Sequence, residues 1–195
     1  MNLKGLRLGV ALCGSYCTHN VVFEQIEKLV GLGVEVFPIM SEKTYITDTR
    51  FGKAEDLIIK IETLTGRKVI HTIVDVEPMA PNSVIDMLLI APCTGNTAAK
   101  LANAITDTSV TMAAKGMFRN HKKVIIALAT NDGLGLNLKN IAALKNSRDV
   151  YFVPIGQDNY LKKPNSLVSH MELIPETIEK ALNDEQLQPV LKSYK

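Results

Sequence analysis

Small polar residues follow the strongest apolar run of this chain, and their types suit the binding of an anion. The run Asp86 to Pro92, DMLLIAP, gives way to the polar stretch Cys93 to Thr97, CTGNT, and an Ala-rich helical pattern starts at once. Hydroxyl and amide groups at a helix N-terminus stand beside N–H groups that have no partner in the helix, and the helix dipole there favours negative charge. The stretch therefore predicts a phosphate site.

Similar polar groups follow three other apolar runs of the chain. In chain order they are Gly14 with Ser15, Ser41, and the segment 130–133 (TNDG). Because the carboxyl ends of parallel strands share one edge of a sheet, where open α/β folds bind their ligands, we expect all four groups to face one ligand. For any single group the alternative stays open that Ser, Thr or Asn only caps the helix that follows.

The two common nucleotide-binding motifs are missing from the sequence. After the first apolar run the chain reads CGSYCT, residues 13–18, which is not G-x-G-x-x-G, and no GxxxxGK[ST] segment occurs. Their absence disfavours NAD or ATP bound in the standard way. A mononucleotide such as FMN, held by backbone and hydroxyl groups, fits the four polar groups better.

Apolar runs that read as strands alternate with helical patterns along the chain. The predicted strands are residues 6–12, 34–39, 68–73, 86–92, 123–129 and 149–155, and the predicted helices are residues 22–30, 53–65, 95–104, 109–118, 137–146 and 171–183. Continuously apolar strands are typical of a parallel sheet covered on both faces. We predict one three-layer α/β domain, Rossmann-like and flavodoxin-like, over residues 1–183, and a frayed polar tail over residues 184–195.

Composition and charge disfavour a nucleic-acid-binding protein and a membrane-spanning protein. The chain has 195 residues, 46% of them apolar, and a net charge of +2, without a basic run that contains aromatic residues. This disfavours a nucleic-acid partner. No apolar stretch reaches membrane-spanning length and the first residues lack a signal-peptide pattern, so we expect a cytoplasmic protein.

The three cysteines do not indicate a metal site. Cys13, Cys17 and Cys93 form no CxxC pair, and no His/Cys cluster has zinc spacing. We expect reduced thiols, with Cys13 and Cys17 as small buried residues. His71 is expected to be a structural residue of its strand, and Lys100 is either a structural ion-pair partner or a ligand contact.

The stretch APCTGNTAAKLANAITDTSVTMAAKG, residues 91–116, resembles the flavin-binding stretch of the homo-oligomeric flavin-containing cysteine decarboxylase family, which has the pattern AP-x-[ST]-x-N-T-x-AK-x-A-x-G-x-x-D. The similarity runs over roughly residues 5–155. It implies an FMN site and an oligomer built from trimers. Position by position, it implies phosphate contacts from Gly14, Ser15 and Ser41, phosphate and ribityl contacts from Thr94, Asn96 and Thr97, a far wall from Asp107 and Thr111, and Thr130 and Asn131 facing the isoalloxazine.

Within this family, VEPMAP (residues 76–81) and the stretch after it are most similar to the B-type subunits of two-chain dehydrogenases from sporulating bacteria. That similarity implies a separate A subunit that carries NADP. It implies a small dicarboxylate substrate, a dihydrodipicolinate-type compound that the two chains oxidise to dipicolinate. It also places the protein in the cytoplasm of the mother cell.

The chain departs from the decarboxylases at their catalytic positions. Segment 76–81 contains no His, segment 128–131 (LATN) keeps only the Asn of a P-x-M-N loop, and no paired Cys and Gly clamp is found near the end of the chain. No residue is assigned a catalytic role. Three functions stay open: a B-type subunit, a self-sufficient FMN-dependent decarboxylase-like enzyme, and a non-catalytic scaffold with a degenerate FMN pocket.

Overall fold

A computed structural model describes residues 2–193. Its strands are β1 Arg7–Leu12, β2 Glu35–Met40, β3 Met87–Cys93, β4 Lys123–Thr130, β5 Val150–Phe152, β6 Ile155–Gly156 and β7 Leu167–Ser169. Its α-helices are α1 His19–Gly31, α2 Glu42–Ile46, α3 Ala54–Thr65, α4 Ile73–Val76, α5 Gly95–Ala102, α6 Ser109–Arg119, α7 Leu138–Lys145 and α8 Ile174–Leu182. Short 3₁₀ turns, Tyr16–Thr18 and Met171–Leu173, precede α1 and α8.

The strands form one mostly parallel sheet, which confirms the predicted fold class. Its order is β2-β1-β3-β4-β7-β6, and β5 pairs with β4 beside this path. The pairs among β2, β1, β3 and β4 and the pair of β4 with β5 are parallel, whereas β7 runs antiparallel to both β4 and β6. The parallel part follows the 2-1-3-4-5 order of flavodoxin-like folds.

Helices cover both faces of the sheet, because successive residues of each central strand point to opposite sides. In β3, Met87 and Leu89 belong to the apolar cluster under α1, α3 and α8, whereas Leu88 and Ile90 belong to the cluster under α5, α6 and α7. These four side chains are at most 1% exposed. A strand that is buried on both faces must be apolar throughout, and this explains its continuous apolar run.

The predicted strand over residues 68–73 is wrong. Its Ile70 forms one isolated bridge with Ile39, and the chain then turns into α4, where the Thr72 side chain accepts a hydrogen bond from the Asp75 N–H. His71 therefore stands in a loop, and its ring stacks on Tyr45 with centroids 3.6 Å apart. The short apolar pattern before Thr72 is typical of a strand, but the Thr72 hydroxyl caps a helix that begins at the next residue.

The predicted strand over residues 149–155 is divided in the structure. β5 ends at Phe152, and after Val153 and Pro154 the chain joins a different neighbour as β6. Proline has no N–H to donate to a ladder, so it marks a place where a strand can leave one partner for another. The antiparallel β7, with three residues, has no counterpart among the predicted strands.

Residues 184–193 lie against the sheet and are not frayed over that length. The Gln186 side chain accepts from the Phe152 N–H at 2.9 Å and donates to the Phe152 carbonyl at 2.7 Å. Further on, Leu191 bridges to Ile155. The division of the chain at residue 183 stays a prediction, and the last two residues of the expected tail, Tyr194 and Lys195, lie outside the described residues.

Two features are absent from the described residues. Between residues 2 and 193, no helix is both long and apolar enough to cross a bilayer. Across the same range, no three His, Cys, Asp or Glu side chains are grouped so that they could hold a metal ion.

Candidate functional site

The switch in strand order lies between β1 and β3, since the chain builds β2 on one side of β1 and then crosses to the other side. Ligands of open α/β sheets bind beyond the carboxyl ends of the strands at such a switch. The four polar groups of the sequence all lie at this edge, directly after β1, β2 and β3 and at the end of β4. We call the loops that carry them, 13–15, 41–42, 94–97 and 130–133, the switch-point site.

The loops after β1 and β3 are joined by side chains. The Thr97 hydroxyl donates to the Cys13 sulfur at 3.3 Å and lies 3.0 Å from the Thr94 hydroxyl. Thr94 is the N-cap of α5, and its side chain accepts from the Thr97 N–H. The hydroxyls of Thr94 and Thr97 thus hold the start of α5 in place, which is the capping role that the sequence left open for them.

The first backbone N–H groups of α5 remain available to an anion. In the first turn of a helix these groups have no intrahelical acceptor, and the Thr94 cap takes only the N–H of Thr97. Gly95 and Asn96 supply the two N–H groups before it, and the Asn96 side chain is exposed at the same place. Because Gly95 itself is buried, Asn96 is the residue of this loop best placed to contact a phosphate.

A close approach between α5 and the end of β4 requires glycine at position 95. A Cβ on Gly95 would lie 2.5 Å from the Thr130 hydroxyl oxygen and 2.7 Å from Nδ2 of Asn137. Asn137 in turn donates to Asp132 at 3.1 Å, and the Asp132 N–H donates to the Thr130 hydroxyl at 3.2 Å. The glycine thus lets the loops after β3 and β4 meet without a gap.

A polar network extends from this contact along α7. Asn140 donates to Asn137 at 3.0 Å, and Asn103 at the end of α5 donates to Asn140 at 3.4 Å. The sequence did not predict that Asp132, Asn137 and Asn140 form a hydrogen-bonded network. Their signal was the density of Asn and Asp in TNDGLGLNLKN, within which Asp132, Asn137 and Asn140 bond to one another, but the link from Asn140 to Asn103 joins distant segments. Asn131 is exposed at the tip of this loop.

The loop after β2 is held by α6. The Ser109 hydroxyl donates to the Met40 carbonyl at 2.7 Å, and the Ser109 N–H donates to Oε1 of Glu42 at 2.8 Å. Ser41 caps the short helix α2, since its side chain accepts from the Thr44 N–H. The other carboxyl oxygen of Glu42, Oε2, is buried without a hydrogen-bond partner. A carboxylate thus stands next to Ser41, and the sequence pattern did not single it out.

The loop after β1 is compact. The Ser15 N–H donates to the Cys13 carbonyl at 2.9 Å, and the Thr18 hydroxyl lies 2.9 Å from the Ser15 hydroxyl. Gly14 between them is exposed. Its backbone is therefore open to a ligand, while the Ser15 side chain already has a partner.

Two residues expected at the far wall have local partners. Asp107 forms an ion pair with Lys100, with Nζ 2.7 Å and 2.8 Å from its two oxygens, and Lys100 lowers the pKa of Asp107. Lys100 is thus a structural ion-pair partner. Thr111 is buried and shares a capping box with Thr108 at the start of α6. Both contacts stabilise the α5–α6 connection.

The cysteines differ in exposure. Cys13 and Cys93 are buried, whereas Cys17 is exposed, so the expectation of a buried Cys17 is wrong. Burial raises the pKa of the Cys13 thiol to about 11, against a smaller opposite effect of its hydrogen bond from Thr97. Burial also raises the pKa of the Cys93 thiol well above its ordinary value. Both buried thiols are therefore protonated at neutral pH and serve as packing residues.

The α6 helix contributes mainly to the core of the chain itself. Ala113, Ala114 and Met117 are at most 3% exposed, and they pack under the sheet face that α5 and α7 also cover. Met112 is half-buried at the surface of the helix. Among these four residues of α6, Met112 is the one that remains accessible to a second chain.

A family model described as Flavoprotein matches residues 1–181. The chain belongs to this flavoprotein family. A curated relative, the B subunit of dipicolinate synthase from Bacillus subtilis (strain 168), is 50% identical over 190 residues, which cover 97% of this chain and 95% of the relative. The crystal structure of the dipicolinate synthase B subunit from Bacillus halodurans C is 46% identical, covers both chains completely and superposes with a TM-score of 0.91.

More distant flavoproteins share the fold. The FMN-dependent cysteine decarboxylase SpaF is 22% identical with a TM-score of 0.67, over 92% of this chain and 99% of its own. DmrB of Burkholderia xenovorans, solved in complex with FMN, is 16% identical with a TM-score of 0.70, over 92% of this chain and 96% of its own. At these identities the likeness shows the fold alone.

Proposed function

We propose that this chain acts as the B subunit of a dipicolinate synthase. The observation that carries the proposal is the 50% identity to a protein of that name over nearly the whole of both chains. The crystal structure of a second protein of that name superposes over the full length with a TM-score of 0.91. The two likenesses together support the same role for this chain.

The proposed reaction needs a partner chain. A separate A subunit would carry oxidised NADP, which accepts a hydride from a dihydrodipicolinate-type substrate, and loss of one proton then gives aromatic dipicolinate and NADPH. The chain described here would bind or position this small dicarboxylate, stabilise the A subunit, or contribute a flavin. We place the reaction in the cytoplasm of the mother cell of a sporulating bacterium.

FMN fits the switch-point site in part. The backbone N–H and side-chain amide of Asn96 and the exposed backbone of Gly14 would contact its phosphate. By contrast, the hydroxyls of Ser41, Thr94 and Thr97 already serve as helix caps or bond to Cys13. Among the ten expected contact residues, Gly14 and Asn96 are thus better supported than these hydroxyls, and bound FMN would supply a redox centre beside the strand ends.

Assembly into a homo-oligomer built from trimers is part of the proposal. Two structural neighbours are described as a dodecameric FMN-dependent decarboxylase and as a cubic protein cage, so relatives of this fold form large assemblies. Met112 on α6 is the accessible residue through which we expect such contacts here.

A self-sufficient decarboxylase has less support. The segment 76–81 contains no His, and Met79 and Ala80 within it are at most 3% exposed. A decarboxylase of this family would need a catalytic group there that these buried apolar side chains do not supply.

Reconstitution of the two-chain reaction tests the proposed function. The purified chain, an A-type subunit, NADP and a dihydrodipicolinate-type substrate would be mixed, and the formation of NADPH and dipicolinate followed. We expect turnover that requires both chains. If the A subunit alone reached the full rate, the chain would be a dispensable scaffold and the proposal would be wrong.

A further inference from the structure

A cleft of about 180 Å³ opens beside the loop after β1, between the start of α1 and the connection from α2 to α3. Tyr16, His19 and Phe23 form its inner wall, and Phe51, Lys53 and Lys60 contribute from the other side. The cleft is open to solvent on one side and is large enough for a six-membered ring with small substituents.

The charges along the cleft favour an anion. Lys53 and Lys60 both line it, and no ion pair of either lysine is found within residues 2–193. The Lys60 ammonium lies 4.7 Å from the centroid of the Phe23 ring, a contact that leaves its hydrogen-bond donors free. Asp56 is the one carboxylate along the wall, so two cations face one anion.

Aromatic rings and a rigid turn shape the cleft for a planar molecule. Phe51 is 55% exposed, although it lies in a closed turn in which Thr49 and Gly52 exchange backbone hydrogen bonds of 2.9 Å and 3.1 Å. The Arg50 guanidinium lies over this ring, 4.9 Å from its centroid, so a flat ligand ring would stack on the opposite face. The Phe23 ring, which is buried, stands at the inner wall.

His19 connects this cleft to the switch-point site. Its Nε2 lies 2.8 Å from the Cys13 carbonyl, and because a carbonyl only accepts, Nε2 carries the proton. Burial lowers the pKa of His19, so the ring is neutral at pH 7 and adds no charge to the cleft. A molecule in the cleft would therefore lie next to the loop after β1, at the edge where a cofactor would bind.

We propose that this cleft binds the dicarboxylate substrate, with one carboxylate at Lys53, the other at Lys60, and the ring against Phe23 and Phe51. The inference rests on the proposed function for the identity of the substrate. It goes beyond that function by assigning a site outside the switch-point loops and two residues that recognise charge. The class of ligand is a small planar ring with two carboxylates.

Calorimetric titration with dipicolinate itself, pyridine-2,6-dicarboxylate, tests the site on the purified chain. Lys53→Met and Lys60→Met keep most of each side chain and remove its charge. Because each variant loses a hydrogen bond between two charged groups, we expect it to bind at least roughly tenfold more weakly than the wild type. Lys139→Met, an exposed lysine on α7, is the matched control and should bind as the wild type does.

The outcomes separate this inference from the proposed function. If the wild type fails to bind dipicolinate, or if both lysine variants bind it unchanged, the cleft is not the site. In the reconstituted two-chain reaction we expect a higher KM for the two variants and an unchanged KM for Lys139→Met. Activity with an unchanged KM in all variants would overturn the cleft and leave the function standing. Lysine-dependent binding without any two-chain activity would overturn the function and leave the cleft.

Discussion

The Thr97 hydroxyl donates to the Cys13 sulfur across 3.3 Å, and this contact joins the start of α5 to the loop after β1. Both residues are buried at the switch in strand order. The two loops that would enclose a ligand phosphate are therefore joined by a buried contact, in addition to the pairing of β1 with β3.

Thr97→Val should destabilise the chain by about 1 kcal/mol, the usual net value of one buried hydrogen bond. Valine keeps the shape of the side chain but removes the hydroxyl that donates to Cys13, while the N–H of residue 97 still donates to Thr94. Urea unfolding measures the loss, and Thr63→Val on the exposed side of α3 is the control, expected within about 0.5 kcal/mol of the wild type. Equal stability of the Thr97 and Thr63 variants would show that the hydrogen bond from Thr97 to Cys13 does not contribute to the free energy of unfolding.

Gly95→Ala should destabilise the chain by about 1–3 kcal/mol, the typical cost of overpacking a filled space. The new methyl group would meet Thr130 and Asn137 and push α5 from the end of β4. Gly31→Ala is the matched control, because a Cβ there has no neighbour within 4 Å. Thermal unfolding of both variants tests the argument, which fails if Gly95→Ala melts at the temperature of Gly31→Ala.

Stability should fall at alkaline pH because of Cys13. Its thiol has a pKa of about 11 in the folded chain and an ordinary value of 9.0, so between these values the unfolded chain has lost a proton that the folded chain keeps. Unfolding then releases this proton, and a rise in pH favours the unfolded state. The contribution is complete below about pH 9, is lost at about 1.4 kcal/mol for each pH unit above it, and is gone above the folded-state pKa of about 11.

The pH effect is measured as the free energy of unfolding in urea at about pH 8 and about pH 10. We expect Cys13→Ala to lose less stability between these two conditions than the wild type does, while Cys17→Ala, at an exposed thiol, follows the wild type. A wild-type slope in the Cys13 variant would assign the alkaline effect to other groups.

The central strands and the polar groups at their carboxyl ends could be predicted because both depend on residues that are neighbours in the sequence. Continuous burial on two faces forces an apolar run, and β1, β3 and β4 carry it plainly. The predicted strand over residues 68–73 is wrong because a short apolar run does not show a periodicity that distinguishes a strand from the segment before a capped helix. β7 was missed because three residues are too few to form a pattern.

The parts of the site that the sequence could not predict depend on contacts between distant segments. The positions, caps and glycines of the loops follow from neighbouring residues, but the hydrogen bond from Asn103 at the end of α5 to Asn140 on α7 joins residues 37 apart in the sequence. Likewise, nothing near Lys60 in the sequence indicates that it packs over the Phe23 ring of α1. Such pairings follow from packing and are visible only in the fold.

The binding of FMN to the purified chain, followed by flavin fluorescence, most directly tests whether a flavin site lies at the switch in strand order. Two unit charges about 4 Å apart repel by about 1 kcal/mol in bulk water and about 4 kcal/mol near a protein surface, so we expect Asn96→Asp to weaken binding by roughly tenfold or more. Asn82→Asp adds the same charge in an exposed loop before β3 and should leave binding unchanged. Binding that Asn96→Asp weakens and Asn82→Asp does not would place the flavin phosphate at the start of α5. Absence of binding by the wild type, or equal binding by all three chains, would contradict a flavin site at the switch in strand order.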